Sequence, residues 1–227
     1  MKKANILALD TSTEACTVAL QVNGKVAEKF AIIPRHHNQE LLPMIQQVLA
    51  DQGVTYADLD CIAFGRGPGS FTGLRITVGV VQGLAFGADI PVIPVSTLAC
   101  MAQGYHRQTG DSQCLVAMQA RQEEIYFGVY ELADGCMRSL APDVLINASD
   151  ARLVKPGEWH GVGNGWQHKS LLEAGLGIEV PVIDLEILPH ASDLITLAEP
   201  ELLQGRTLVA AEAMPVYLRE TVARKST

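Results

Sequence analysis

NILALDTSTEACTVALQVNGKVAEKFAI, residues 5–32, is the stretch on which the fold turns. An apolar run ends at Asp10, a short polar loop follows, and two further strand-like runs are separated by Asn23-Gly24. Asn-Gly in that setting favours a type I′ turn, because both central positions need positive φ. The reading is a three-stranded β-meander. The same grammar returns in CLVAMQARQEEIYFGVYELADGCMRSL, residues 114–140, with Asp134-Gly135 at the second turn. Laid on the first copy, Ala117-Met118-Gln119 matches Ala8-Leu9-Asp10, and Tyr126-Phe127-Gly128-Val129 matches Thr17-Val18-Ala19-Leu20. A duplicated meander predicts two similar lobes, 1–107 and 108–227. The competing reading is that any two meanders look alike.

Between the copies, NQELLPMIQQVLADQG (38–53) places Leu41, Leu42, Ile45, Val48 and Leu49 on one helical stripe, with Asn38 as N-cap and Gly53 as stop. Then come a strand (CIAF, 61–64), a glycine loop, a helix from Phe71 to Phe86, a strand (PVIPVS, 91–96) and a helix from Thr97. Helices alternating with strands after a meander indicate an α/β layer. Further on stand a glycine-rich GVGNGW (161–166), a helix over 191–203 and a terminal PVYLR.

Composition narrows the function classes. Seventeen Lys and Arg against 25 Asp and Glu leave a net charge of -8, which argues against autonomous nucleic-acid binding. The apolar run of MKKANILALD meets Asp10 too soon for a signal peptide. The most membrane-like stretch, 76–95, carries Gln82, Asp89 and two prolines and falls short of a span. A cytoplasmic protein without membrane contact is expected. Five cysteines without a CxxC read as reduced core thiols.

The glycine loop, GRGPGSFTGLRITVG (65–79), fails the phosphate-binding templates. A P-loop ends in Gly-Lys-Ser/Thr, whereas Gly73 is followed by Leu74-Arg75. The dinucleotide fingerprint breaks at Thr72 or Ser70, and the residue two before Ser70 is Pro68, where a nucleophile elbow has glycine. What remains is a strand-to-helix turn with Ser70 as N-cap. It either holds an anion on its backbone N–H groups or needs glycines for its shape alone. On that first reading Gly67, Gly69 and Ser70 join Asp10, Thr11 and Ser12, a carboxylate with hydroxyls at a tight turn, as phosphate or nucleotide contacts. Beyond the loop, Gly79, Gly83 and Gly87 leave one helix face bare, at about 1 kcal/mol each relative to alanine. Packing against the protein's own sheet or against a partner's helix would offset that cost. No two of the six histidines stand three or four apart, so no helical metal site is predicted. No catalytic Ser/His/Asp or Cys/His arrangement emerges either.

ILALDTSTEACTVAL, HHNQELLPMI, GRGPGSFTGLRITVGVVQGLA, VSTL and PVYLR together resemble the TsaB (YeaZ) family over nearly the whole chain, GPGSFTGLR being the most specific run. The resemblance implies the two-lobe actin/Hsp70/sugar-kinase-like fold. It also implies a non-catalytic subunit of the machinery that forms N6-threonylcarbamoyladenosine in tRNA. Such a subunit pairs with a TsaD-like catalytic relative, is joined by a TsaE-like ATPase, meets tRNA only through the complex, and self-dimerises when alone. No cofactor, metal or catalytic residue is implied. TsaD carries His-x-x-x-His where this chain has Thr97 and Met101. The family's Asp-Ala-Arg at the second lobe reads Gln119-Ala120-Arg121 here. The carried-over interface is Leu41, Leu42, Ile45 and Leu49 on one helix and Phe71, Leu74, Arg75, Val78 and Gln82 on the next. Two rivals stand beside this reading: an active ATP-dependent kinase or carbamoyltransferase of the same fold, and a direct tRNA-binding module.

Overall fold

The computed structural model describes residues 3–181 and 183–218; Met1, Lys2 and Arg219, used in the sequence reading, lie outside the described residues. Strands β1 (Ile6–Asp10), β2 (Ala15–Val22) and β3 (Lys25–Ile32) form the meander, with Asn23 and Gly24 at φ 51° and 78° in its second turn. Parallel strands β4 (Cys61–Gly67) and β5 (Val92–Ser96) extend it to the order β3-β2-β1-β4-β5. The connections are α1 (His37–Gln52) and α2 (Phe71–Ala88). Gly53 ends α1 in the left-handed conformation as expected, but Asn38 is not its cap. The His36 carbonyl already accepts from the N–H groups of Gln39 and Glu40, so His36 is the cap and the helix begins two residues earlier.

Alternation along the strands divides the first core in two. Leu7, Leu9, Cys16, Val18, Leu20 and Phe64 face α1 and α2. Ile6, Ala8, Ala19, Cys61 and Ala63 face the other way, where α5 (Ala191–Leu203) packs with Leu194, Ile195, Leu197 and Ala198. The alanines on that side allow α5 a close approach. A helix from the last part of the chain thus completes the first layer.

Helix α3 (Thr97–Thr109) leads into a second sheet of β6 (Gln113–Arg121), β7 (Glu124–Ala133), β8 (Cys136–Ser139), β9 (Val144–Asn147), β10 (His160–Val162) and β11 (Ile183–Asp184). Its order, β8-β7-β6-β10-β11 with β9 on the free half of β7, repeats that of the first sheet. Trp159, Trp166 and Leu172 fill one face below α4 (Lys169–Leu176), while Leu98, Met101 and Tyr105 of α3 fill the other. This is the α/β fold with a duplicated meander that the sequence leads one to expect, two sheets of matching strand order.

The residue matching of the two copies needs one correction. Asp10 pairs with Thr17, whereas Gln119 pairs with Ile125, so Ile125 and not Tyr126 matches Thr17. The second hairpin is one residue shorter, with an irregularity between Gln119 and Arg121 and Gln122 at φ 51°. A slip of one exchanges the faces of every following side chain. The five cysteines are all free and buried, as expected of core thiols.

Candidate functional site

The first-lobe hairpin and the glycine loop meet directly. Asp10, Thr11 and Ser12 are buried. Asp10 Oδ1 accepts from both the N–H and the hydroxyl of Ser12 at 2.6 Å, and Thr97 donates to Ser12 Oγ at 3.1 Å. Above them the loop lies too close for any side chain. A Cβ on Gly65 would stand 1.5 Å from Asp10 Oδ2, on Gly69 2.5 Å from the Ser12 carbonyl, and on Gly73 1.9 Å from the Thr11 carbonyl. Hydrogen bonds fasten the contact: Ser70 N–H to Ser12 O at 2.7 Å, Thr11 Oγ1–H to Gly73 O at 2.8 Å. Ser70 is the N-cap of α2, accepting from Gly73 N–H at 3.3 Å.

The phosphate reading of this constellation is therefore corrected. Asp10, Thr11 and Ser12 offer no surface to a ligand, Gly67 is buried against Val216 and Leu74, and half-buried Gly69 and exposed Ser70 serve as contact and cap. The glycines are there because two backbone segments touch. Burial pushes the Asp10 carboxyl up to about 6, against the pull of its Ser12 hydrogen bonds, and Oδ2 has no hydrogen-bond partner.

In the second lobe, the position matching Asp10 is plugged by amides. Gln119 Oε1 accepts from Gln167 Nε2 at 2.6 Å and from His168 Nε2 at 2.9 Å, while Gln119 Nε2 donates to the Gln122 carbonyl at 2.5 Å. An amide oxygen only accepts, so His168 carries its proton on Nε2. On α3, Thr97 is spent on Ser12 and Met101 is 2% exposed in the core. Among the described residues no cluster of three or more His, Cys, Asp or Glu could hold a metal ion.

The helix pair is the other candidate. Leu41, Ile45 and Leu49 of α1 and Val78 of α2 belong to the first-lobe core, and Leu74 is buried beside Gly67, none more than 6% exposed. Those five are corrected: they are buried inside the chain. Burying a side chain of that size contributes about 1.5–3 kcal/mol, so the folded chain keeps such a stripe for itself. Of the interface set, Leu42, Phe71 and Arg75 are exposed and Gln82 is half-buried. The structure also decides where the bare glycine face points, and adds Phe86, which the sequence reading passed over. Gly79, Gly83 and Gly87 are exposed with nothing within 4 Å of a notional Cβ, and Phe86 is 85% exposed. Positions 71, 75, 79, 83, 86 and 87 form one outward stripe at helical spacing. Packing of the bare face against the protein's own sheet is thereby overturned. This is also why α2, at a mean hydropathy of 1.3 over 18 residues, is apolar enough to cross a membrane by composition: it has a core face and an uncovered apolar one.

The family model described as TsaD: tRNA N6-adenosine threonylcarbamoyltransferase matches residues 25–222. The tRNA threonylcarbamoyladenosine biosynthesis protein TsaB of Escherichia coli (strain K12) is 41% identical, the match covering 97% of this chain and 96% of that protein. The protein of the same description from Haemophilus influenzae is 37% identical, covering 99% and 98%. Among solved structures, YeaZ from Pseudomonas aeruginosa is similar with a TM-score of 0.90 at 42% identity, covering 95% of this chain and 100% of that one. On a likeness that runs the length of both chains, this chain belongs to the TsaB (YeaZ) family, within the wider group that the TsaD model describes.

Proposed function

We propose that this chain is a non-catalytic subunit of the machinery that forms N6-threonylcarbamoyladenosine in tRNA, and that it works by docking a TsaD-like catalytic subunit on the outer face of α1 and α2. The observation that carries the reading is the uncovered stripe of α2, where Gly79 and Gly83 lie bare between exposed Phe71 and Phe86, with bare Gly87 next to Phe86. A helix stripe without side chains lets a second helix approach at short interaxial distance, and exposed aromatics at its ends are what a buried interface centre uses. This chain matches the TsaD family model over residues 25–222, which supports a partner built on a related domain. In its absence the same face serves a second copy in a symmetric homodimer. A TsaE-like ATPase joins the pair, tRNA is met through the complex, and the assembly is cytoplasmic. The lobes divide at 107/108, with α5 returning to the first.

The filled hairpin supports the non-catalytic half of the proposal. A kinase or carbamoyltransferase needs its first-lobe carboxylate at the substrate, and Asp10 is enclosed beneath Gly65. The description of another solved Pseudomonas aeruginosa structure mentions a peptidase; here burial raises the thiols of all five cysteines, Cys16 and Cys61 to about 12.

The test is reconstitution. The purified chain alone is expected to leave tRNA unmodified, and a TsaD-like subunit with its substrates is expected to need the chain for modification. Leu42→Arg with Phe86→Arg, both exposed, should leave the fold intact and abolish co-purification with that subunit. Turnover by the lone chain, lost on Asp10→Ala, would replace this reading with the enzyme alternative; salt-sensitive tRNA binding by the lone chain would favour the binding-module alternative.

A further inference from the structure

Resting on the proposal that α2 docks the partner, we infer that the segment following α5, residues 205–218, is built into that docking face and shapes its N-terminal half, with Tyr217 as a contact residue. The segment runs against the direction of α2. Leu208 exchanges two backbone hydrogen bonds with Val92, each 2.9 Å. The Ala213 carbonyl accepts from Gln82 Nε2 at 2.8 Å, and Val216 N–H donates to the Arg66 carbonyl at 2.7 Å. Ala213 itself is buried in the core with α2, so the segment is anchored along its length.

At its end three exposed side chains gather. Arg75 Nε–H donates to the Tyr217 hydroxyl at 3.3 Å, the Tyr217 and Phe71 rings lie 5.3 Å apart, and the Arg75 guanidinium stands 3.9 Å over the Phe71 ring. Phe71, Arg75 and Gln82, three of the residues read as interface, thus each touch this segment. Phe71 is 48% exposed and Tyr217 43%, so the group adds little to the monomer's core. Phe, Tyr and Arg held together on a surface are the composition of an interface centre, and ordering them before docking removes part of the entropy cost of association. The glycine loop makes room for the arrangement. Gly67 sits at φ +107°, and a Cβ there would come 2.9 Å from the Val216 carbonyl. Met214, 61% exposed, continues the apolar surface beyond α2.

The experiment is calorimetric titration of the full chain into a TsaD-like subunit, with a urea midpoint recorded for each variant. Tyr217→Ala should bind roughly tenfold more weakly or worse at an unchanged midpoint, and Tyr217→Phe, which keeps the ring, should restore most of the affinity. Arg75→Ala, at an exposed site, should show the same loss and stands in if Tyr217→Ala lowers the midpoint. Phe86→Arg, at the far end of the stripe, tests docking itself. Wild-type affinity in Tyr217→Ala and Arg75→Ala with binding lost in Phe86→Arg would overturn this inference and leave the docking proposal standing. Wild-type affinity in all three would overturn both.

Discussion

The two sets of glycines around α2 are one residue type under opposite constraints. Gly65, Gly69 and Gly73 are glycines because a methyl group at any of them would enter another segment's backbone or the Asp10 carboxylate. Gly79, Gly83 and Gly87 are glycines although nothing stands within 4 Å of them. The first set is explained by the monomer: it closes the loop onto the hairpin and buries Asp10. The second set costs the monomer about 1 kcal/mol per residue in helix propensity, with no contact among the described residues to offset it. On the docking proposal, a partner's helix does. The inner end of α2 is thus closed onto the hairpin, while its outer face stays uncovered by the described residues.

The largest effect is expected at the inner end. Gly73→Ala puts a methyl 1.9 Å from the Thr11 carbonyl, backbone against backbone, and should destabilise the chain by about 3 kcal/mol or more, read as a collapse of the urea midpoint. A midpoint near wild type would mean the loop is not seated as described. The enclosed carboxylate comes next. A shift from 3.8 to about 6 corresponds to about 3 kcal/mol. The native state binds the Asp10 proton more tightly than the unfolded chain, so the charged form is the disfavoured one. The stability this group contributes is therefore greatest below about pH 4, falls as pH rises through 6, and is level above. Asp143 and Asp193 are also raised by burial, so the comparison is with Asp10→Asn, in which the fall between pH 4 and 6 should flatten. Identical pH profiles would place Asp10 in water.

At the outer face the effects concern binding. Phe86→Arg should weaken association with a TsaD-like subunit by roughly tenfold or more with the fold unchanged. The smallest effect has the opposite sign: Gly79→Ala should stabilise the monomer by up to about 1 kcal/mol. Destabilisation there would mean that the monomer itself uses the glycine.

How much of this the sequence carried depended on whether the signal was local. Asn23-Gly24 and Asp134-Gly135 demand positive φ whatever surrounds them, so both meanders were legible, and all four residues adopt it. Ser70 as the cap of α2 and Gly53 as the stop of α1 are equally local. The direction of a helix face is not local. Leu41, Ile45 and Leu49 have the spacing of an interface and of a core alike, and only the sheet beneath decides between them. Phe86 was within reach, one turn beyond Gln82, but ending the helix there hid its place on the stripe. Segment 205–218 has no periodicity to read, and its contacts with α2 cross more than a hundred residues of chain. The return of α5 to the first sheet is hidden for the same reason.

The central claim, that α2 keeps its outer face bare for another chain, is most directly tested by Gly83→Leu, followed by light scattering and calorimetry with and without a TsaD-like subunit. The site is open on all sides within 4 Å, so the monomer should fold at least as stably as wild type while both self-association and partner binding are lost. A stably folded Gly83→Leu chain that still binds at wild-type affinity would contradict the account.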